Sequence, residues 1–184
     1  CLIACDVSTA AGVEVRYVVS RATDTLTIDR AFTTDPATAW GFYGHRLNLY
    51  RATVPHAGFA LLQAWASHMR HGAFAYTSNV DGQFQRAGFA QERVVECHGS
   101  IHQMQCLAQC GQSPWPTGVA PIGVDPTELT AQPPYPACPG CGGMARPSIL
   151  MFGDWQWDGQ RTAAQEVNLY QWLKAVGQAP LVVV

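Results

Sequence analysis

Two pairs of closely spaced cysteines, Cys106 with Cys110 and Cys138 with Cys141, flank a stretch rich in proline and glycine. No other feature constrains the chain as much. Cys-x3-Cys followed by Cys-Pro-Gly-Cys-Gly-Gly is a spacing suited to zinc, because two sulfurs carried on one tight turn can converge on a tetrahedral ion. Four thiolates leave no open coordination position, so such an ion is expected to hold structure and not to catalyse. The competing reading is two disulfides or redox thiols. The chain has seven cysteines, and an odd count with close pairs suits a reduced compartment and a metal better than a disulfide framework. Cys97 is expected to be a buried small hydrophobe, and Cys1 and Cys5 unpaired thiols.

Composition excludes several classes. Hydrophobic residues make up 48% of the 184 positions and charged residues 13%, which is the balance of a globular chain with a real core. The net charge is −2 and the 11 Lys and Arg residues are scattered, so no nucleic-acid footprint is expected. No apolar run approaches the roughly 18 residues of a membrane span. The opening Cys1-Leu2-Ile3-Ala4-Cys5-Asp6 lacks the basic region of a signal peptide, which makes a cytoplasmic location the expectation. It also lacks a methionine, so a processed or partly represented product is expected.

Patterning predicts alternating strands and helices. Val13–Val19 alternates as a strand would. Asp35-Pro36 is an N-cap followed by proline in the first helical turn, and Trp40, Tyr43, Leu47 and Tyr50 recur at helical spacing, so a helix is predicted over 36–51. A second helix is predicted over 56–70, with Phe59, Leu62, Trp65 and Met69 on one stripe and Gly72 as its stop. Ala73–Tyr76, Val94-Val95, Ser148–Phe152 and Leu181–Val184 read as buried strands, and 160–176 as a helix closed by Gly177. Residues 111–136 read as a loop or insert. This order predicts an α/β fold with a parallel sheet. Ligands of such sheets lie beyond the carboxyl ends of the strands, where Asn79, Asp81 and His98 fall. A lone histidine after a strand is most often a loop residue, and Asn79 alone would read as a turn before Asp81-Gly82. His102 is expected at the solvent, and His45, His56, His68 and His71 on helix surfaces or edges. Trp155 and Trp157 are read either as lining a cleft or as core and rim packing.

Taken in order, these motifs resemble the sirtuin (Sir2) family of NAD-dependent protein deacylases. Thr77-Ser78-Asn79-Val80-Asp81-Gly82 is similar to the family's T-Q-N-I-D-G, and Glu96-Cys97-His98-Gly99-Ser100 to its E-L-H-G-S. The cysteine pairs follow. Arg146-Pro147 through Met151-Phe152-Gly153-Asp154 is similar to R-P-x-V-V-x-F-G-E, and the resemblance covers roughly residues 32–184. It implies a Rossmann-like sheet, over 1–100 and 145–184, with a small four-cysteine zinc-binding domain inserted at 101–144 and a helical segment at 36–72 bordering an acyl-lysine cleft. It also implies NAD and Zn2+ as cofactors and an acylated-lysine protein or peptide as partner.

In the implied reaction the acyl oxygen attacks the ribose carbon as nicotinamide leaves. His98 then acts as general base on a ribose hydroxyl, a role that suits a group titrating near neutral pH. The products are free lysine and O-acyl-ADP-ribose. Asn79, Asp81 and Ser78 match cofactor-binding positions around the nicotinamide, with Ser78 standing where the family has Gln. Phe152 and Gly153 match the segment that pairs with substrate backbone by strand addition. Tyr43 and Arg46 stand at i and i+3 after Trp40-Gly41-Phe42, the arrangement that binds the acyl carboxylate in the succinyl- and malonyl-preferring subclass. The bland alternative has Tyr43 in the core and Arg46 solvated.

The family's Gly-rich pyrophosphate loop has no counterpart, since Gly12 is the sole glycine before Gly41. Three readings of function therefore stand together. One is lysine deacylation. Another is NAD glycohydrolysis or ADP-ribosyl transfer by the same early chemistry. The last is a zinc-stabilised acyl-lysine binding module without turnover.

Overall fold

The computed structural model of the protein describes residues 28–184. The strand expected at 13–19 and the thiols Cys1 and Cys5 lie outside the described residues. Helix α1 (Ile28–Thr34) runs into α2 (Pro36–Ala52), and Asp35 caps α2 by accepting from the Thr38 amide at 3.2 Å. The stripe on α2 is the one expected. Trp40 and Leu47 are fully buried, and Phe32 meets Trp40 edge-on and stacks on Tyr43. Helix α3 (Ala57–Ser67) also forms, with His56 as its cap: Nδ1 accepts from the Gly58 amide at 3.1 Å. Its expected stripe does not enter the core, and Trp65 and Met69 are exposed. The helix leans instead on the turn after β1, through Phe59 against Phe84 and Gln63 on the Ala87 carbonyl.

Strands β1 (Ala75–Thr77) and β2 (Val94–Glu96) pair in parallel, Ala75 opposite Val94 and Thr77 opposite Glu96. The link between them holds α4 (Gln83–Arg86) and a short 3-10 turn at Gln91–Arg93. The chain then enters a second, antiparallel sheet in the order β4-β3-β5, made of β3 (Gly99–Cys106), β4 (Trp115–Pro116) and β5 (Ala145–Ile149). The strand expected at 148–152 thus begins and ends earlier and runs antiparallel. Beyond Ile149 the Leu150 amide turns to the His98 carbonyl, at 2.9 Å, and Gly153 adopts φ +70°, so the backbone leaves the sheet. Residues 181–184 are exposed and form no strand. An apolar run becomes a strand only where a sheet edge receives its backbone groups, and no described strand does so.

Helix α5 (Gln160–Val176) matches the expected span and ends at Gly177 with φ +58°. It is docked on β2 through Glu96, whose carboxylate is buried and lies 2.5 Å from Arg161 Nη2. Gln165 Oε1 accepts from the Glu96 amide and Thr162 Oγ1 donates to the Glu96 carbonyl. The 111–136 insert is not a free loop. Asn48 on α2 exchanges two hydrogen bonds with the backbone of Ile122, and the Ala131 amide donates to the Ala37 carbonyl. Gly41 permits this approach: a Cβ there would lie 1.8 Å from the Leu129 carbonyl oxygen.

Candidate active site and metal centre

The parallel pairing of β1 and β2 places the candidate site residues. Both strands end at the same edge, so the segments that follow them, 78–82 and 97–102, emerge side by side. Two hydrogen bonds join the two segments, and a third joins the second segment to the end of β1. The Cys97 amide donates to the Thr77 carbonyl at 2.9 Å, the Ile101 amide to the Val80 carbonyl at 2.9 Å, and His102 Nε2 lies 2.8 Å from the Asp81 carbonyl. His102 is therefore half-buried and holds the turn, contrary to the expected solvent position. Gly82, at φ +69°, lies flat against its ring.

His98 occupies the point where the chain passes from the parallel pair into the antiparallel sheet. Its side chain is exposed, while its carbonyl is held by Leu150. Gly99 makes the sharp passage possible, at φ +78° and so close to β5 that a Cβ would sit 2.1 Å from the Ser148 carbonyl oxygen. Asn79 is exposed beside this junction, and its amide bonds to Thr77 Oγ1. Ser78 is half-buried. Asp81 Oδ1 accepts from the Gln83 amide at 2.9 Å. Cys97 is half-buried and not in the core.

Phe152 and Trp155 are almost wholly exposed, at 94% and 96%, although they follow a buried strand. Their backbone is anchored from beneath by Asp154. Its Oδ2 lies 2.7 Å from Arg146 Nη1, its Oδ1 accepts from Arg146 Nη2 at 3.0 Å, and both side chains are sealed from solvent. Sequence reading missed this pair and the Glu96–Arg161 pair. Glu96, Arg146 and Asp154 stand in the motifs quoted above and Arg161 on α5 does not, yet nothing in the sequence marks the charges as buried. Tyr43 is partly buried against the core, and burial pushes its hydroxyl up to about 12 against the pull of Arg146 and Arg46. Arg46 lies over the Phe42 ring at 5.0 Å and donates to the Tyr50 hydroxyl at 3.2 Å. Tyr43 stacks on Phe32 and packs against the core, while Arg46 is half-buried between Phe42 and Tyr50.

The four cysteines come together. Their sulfurs all lie within 4.8 Å of one another, with Cys106 to Cys141 and Cys110 to Cys138 at 3.6 Å. A zinc ion with four bonds of about 2.3 Å needs sulfurs about 3.8 Å apart, so the set fits the ion. Burial opposes ionisation of Cys106, but hydrogen bonds from Cys110 and Cys141 lower it to about 7. Cys110, despite a backbone hydrogen bond at Gln112 that favours its thiolate, is pushed up to about 12 by its three sulfur neighbours. A cluster of thiols that gives up its first proton this readily is one poised for a cation.

A model of the Sir2 family matches residues 15–183. The chain belongs to the Sir2 family. It is 38% identical over 120 residues to an NAD-dependent protein deacylase of Mycolicibacterium paratuberculosis, covering 65% of this chain and 46% of that protein. It is 35% identical over 128 residues to one of Thermus thermophilus, covering 67% and 44%. Among solved structures it is similar to a Sir2 homologue in complex with ADP-ribose, at 30% identity and a TM-score of 0.52, covering 68% of this chain and 45% of that one. Another is a Sir2 homologue in complex with 2′-O-acetyl ADP-ribose, at 28% identity and a TM-score of 0.50, covering 69% and 46%. The chain spans just under half the length of these relatives. The fold is accordingly the Rossmann-like α/β fold of this family, with a cysteine cluster that suits zinc. No described helix is long and apolar enough to cross a membrane.

Proposed function

We propose that this chain carries the nicotinamide and acyl-lysine end of an NAD-dependent protein lysine deacylase. The observation that carries the reading is the exposed His98, held at the junction of the two sheets beside the turn that bears Asn79 and Asp81. When bound, NAD supplies the leaving nicotinamide and the ribose carbon that takes the acyl oxygen. Asn79 offers an amide donor and acceptor to a carboxamide, and Asp81 offers Oδ2, since Oδ1 is engaged by Gln83. Ser78 borders them. His98 accepts and returns a proton at a ribose hydroxyl, which needs an imidazole open to the cleft and anchored only by its backbone. Phe152 and Gly153, exposed on the turn beyond β5, meet the backbone of an extended peptide.

Residues 101–144 form the zinc-stabilised module on this reading. Residues 1–100 and 145–184 form the Rossmann-like part, and 36–72 borders the cleft. Tyr43 and Arg46 meet the carboxylate of a succinyl or malonyl group. The free thiols suit a cytoplasmic setting, and partners other than acylated proteins, whether nucleic acid or membrane, are not part of the proposal.

The test is incubation with NAD and acetyl- or succinyl-lysine peptide, followed by mass spectrometry for nicotinamide and O-acyl-ADP-ribose. Both products are expected, and both should vanish in His98→Ala. Nicotinamide released without peptide dependence points to glycohydrolysis, and peptide binding without NAD consumption to a binding module. Either outcome overturns the proposal. Arg46→Met is expected to lower desuccinylation relative to deacetylation; an unchanged ratio removes the acidic-acyl assignment.

A further inference from the structure

The end of the β1–β2 pair opposite His98 holds a cavity of about 670 Å³. It lies where the chain enters the two strands, and the second half of α5 closes one side. Arg70, Arg93, Glu92, Asn168, Gln171 and Trp172 are among the residues that line it. Two features single it out. Arg93 is half-buried on the cavity wall, and its Nη1, shielded from solvent, has no hydrogen-bond partner and so does not tether the guanidinium. No described carboxylate forms an ion pair with Arg93 or Arg70, and Glu92, between them in charge terms, pairs with neither. An unpartnered buried guanidinium nitrogen is costly, because burial strips its water and returns nothing.

The lining also has a consistent chemistry. Two arginines against one glutamate leave the lining net positive, and Asn168 and Gln171 add two side-chain amides to it. Trp172 contributes no donor, since its indole N–H is committed to the His71 carbonyl at 2.8 Å. Guanidinium forks match tetrahedral oxyanions with several acceptors, and the volume is in the range of small-molecule sites. We propose that this cavity binds the phosphate group of a small molecule, with Arg93 as its principal ligand and Arg70 as the second. The site is separate from the His98 junction and does not depend on the deacylase reading.

The test uses the full chain and inorganic phosphate, titrated at constant ionic strength and followed by phosphorus NMR and thermal unfolding. Saturable line broadening and a saturable rise in Tm are expected, with acetate inactive. Arg93→Gln should weaken phosphate at least about tenfold, the loss of one charge-assisted contact, and Arg70→Gln should weaken it less. Glu92→Gln removes the opposing charge on the cavity wall and should tighten binding, which keeps the proposal testable if Arg93→Gln does not fold. No saturable binding, equal binding of acetate, or a response unchanged in Arg93→Gln and Glu92→Gln (an adventitious ion only) would overturn it.

Discussion

The Arg146–Asp154 pair gives the sharpest test of how the segment beyond β5 is held. Both side chains are essentially without solvent, at 0% and 1%, and the closest N–O distance is 2.7 Å. At an effective dielectric of about 20, the Coulomb attraction at that distance is about 6 kcal/mol. Desolvating the two ions costs several kcal/mol each, so the intact pair contributes little net stability. Breaking it is a different matter. Asp154→Asn leaves the Arg146 guanidinium buried and uncompensated, and it weakens the acceptor used by the Gln156 amide at 3.0 Å. The expected loss is about 3–5 kcal/mol in urea unfolding at neutral pH. Replacing both charges, as in Arg146→Met with Asp154→Leu, should bring stability back to within about 1 kcal/mol of the parent. An Asp154→Asn loss below about 1 kcal/mol would refute the reasoning, because it would mean that water reaches the pair. A double variant as unstable as the single one would refute it too.

Other perturbations follow from the same geometry. Gly99→Ala places a Cβ against the Ser148 carbonyl at a positive φ, and should cost at least about 3 kcal/mol in thermal unfolding; a neutral result would mean that β5 can retreat. Cys138→Ser should abolish stoichiometric zinc by elemental analysis and lower the Tm, and zinc uptake by the metal-free parent should release protons measurable with an indicator dye. Tyr43 has a raised pKa in the folded state, so the unfolded chain loses that proton first. Stability should therefore fall as pH rises from about 10 toward 12, by up to roughly 1.4 kcal/mol per pH unit, and Tyr43→Phe should flatten that limb in denaturant titrations.

The sequence by itself determined much of this protein. Close cysteine spacing is a local property, and it alone points to the four-sulfur cluster. The helices over 36–51 and 160–176 were legible too, the first from its helical spacing and Asp35-Pro36 and the second from its stop at Gly177. The position of His98 after an apolar run was equally legible, because strand ends in parallel sheets are where ligands gather. Tertiary structure decided the rest. A stripe of apolar residues states that a face should be buried but not that a partner exists, and so Trp65 on α3 and Met69 just beyond it stay exposed and residues 181–184 stay outside the described sheets. Strand direction depends on the neighbour, which is why β5 is antiparallel although its composition reads as a buried parallel strand. Charged residues are ordinarily solvated, so only the folded chain reveals that Glu96, Arg146 and Asp154 lie inside it. Arg146 and Asp154 hold the turn at Phe152, and Glu96 docks α5 onto the end of β2, two residues before His98.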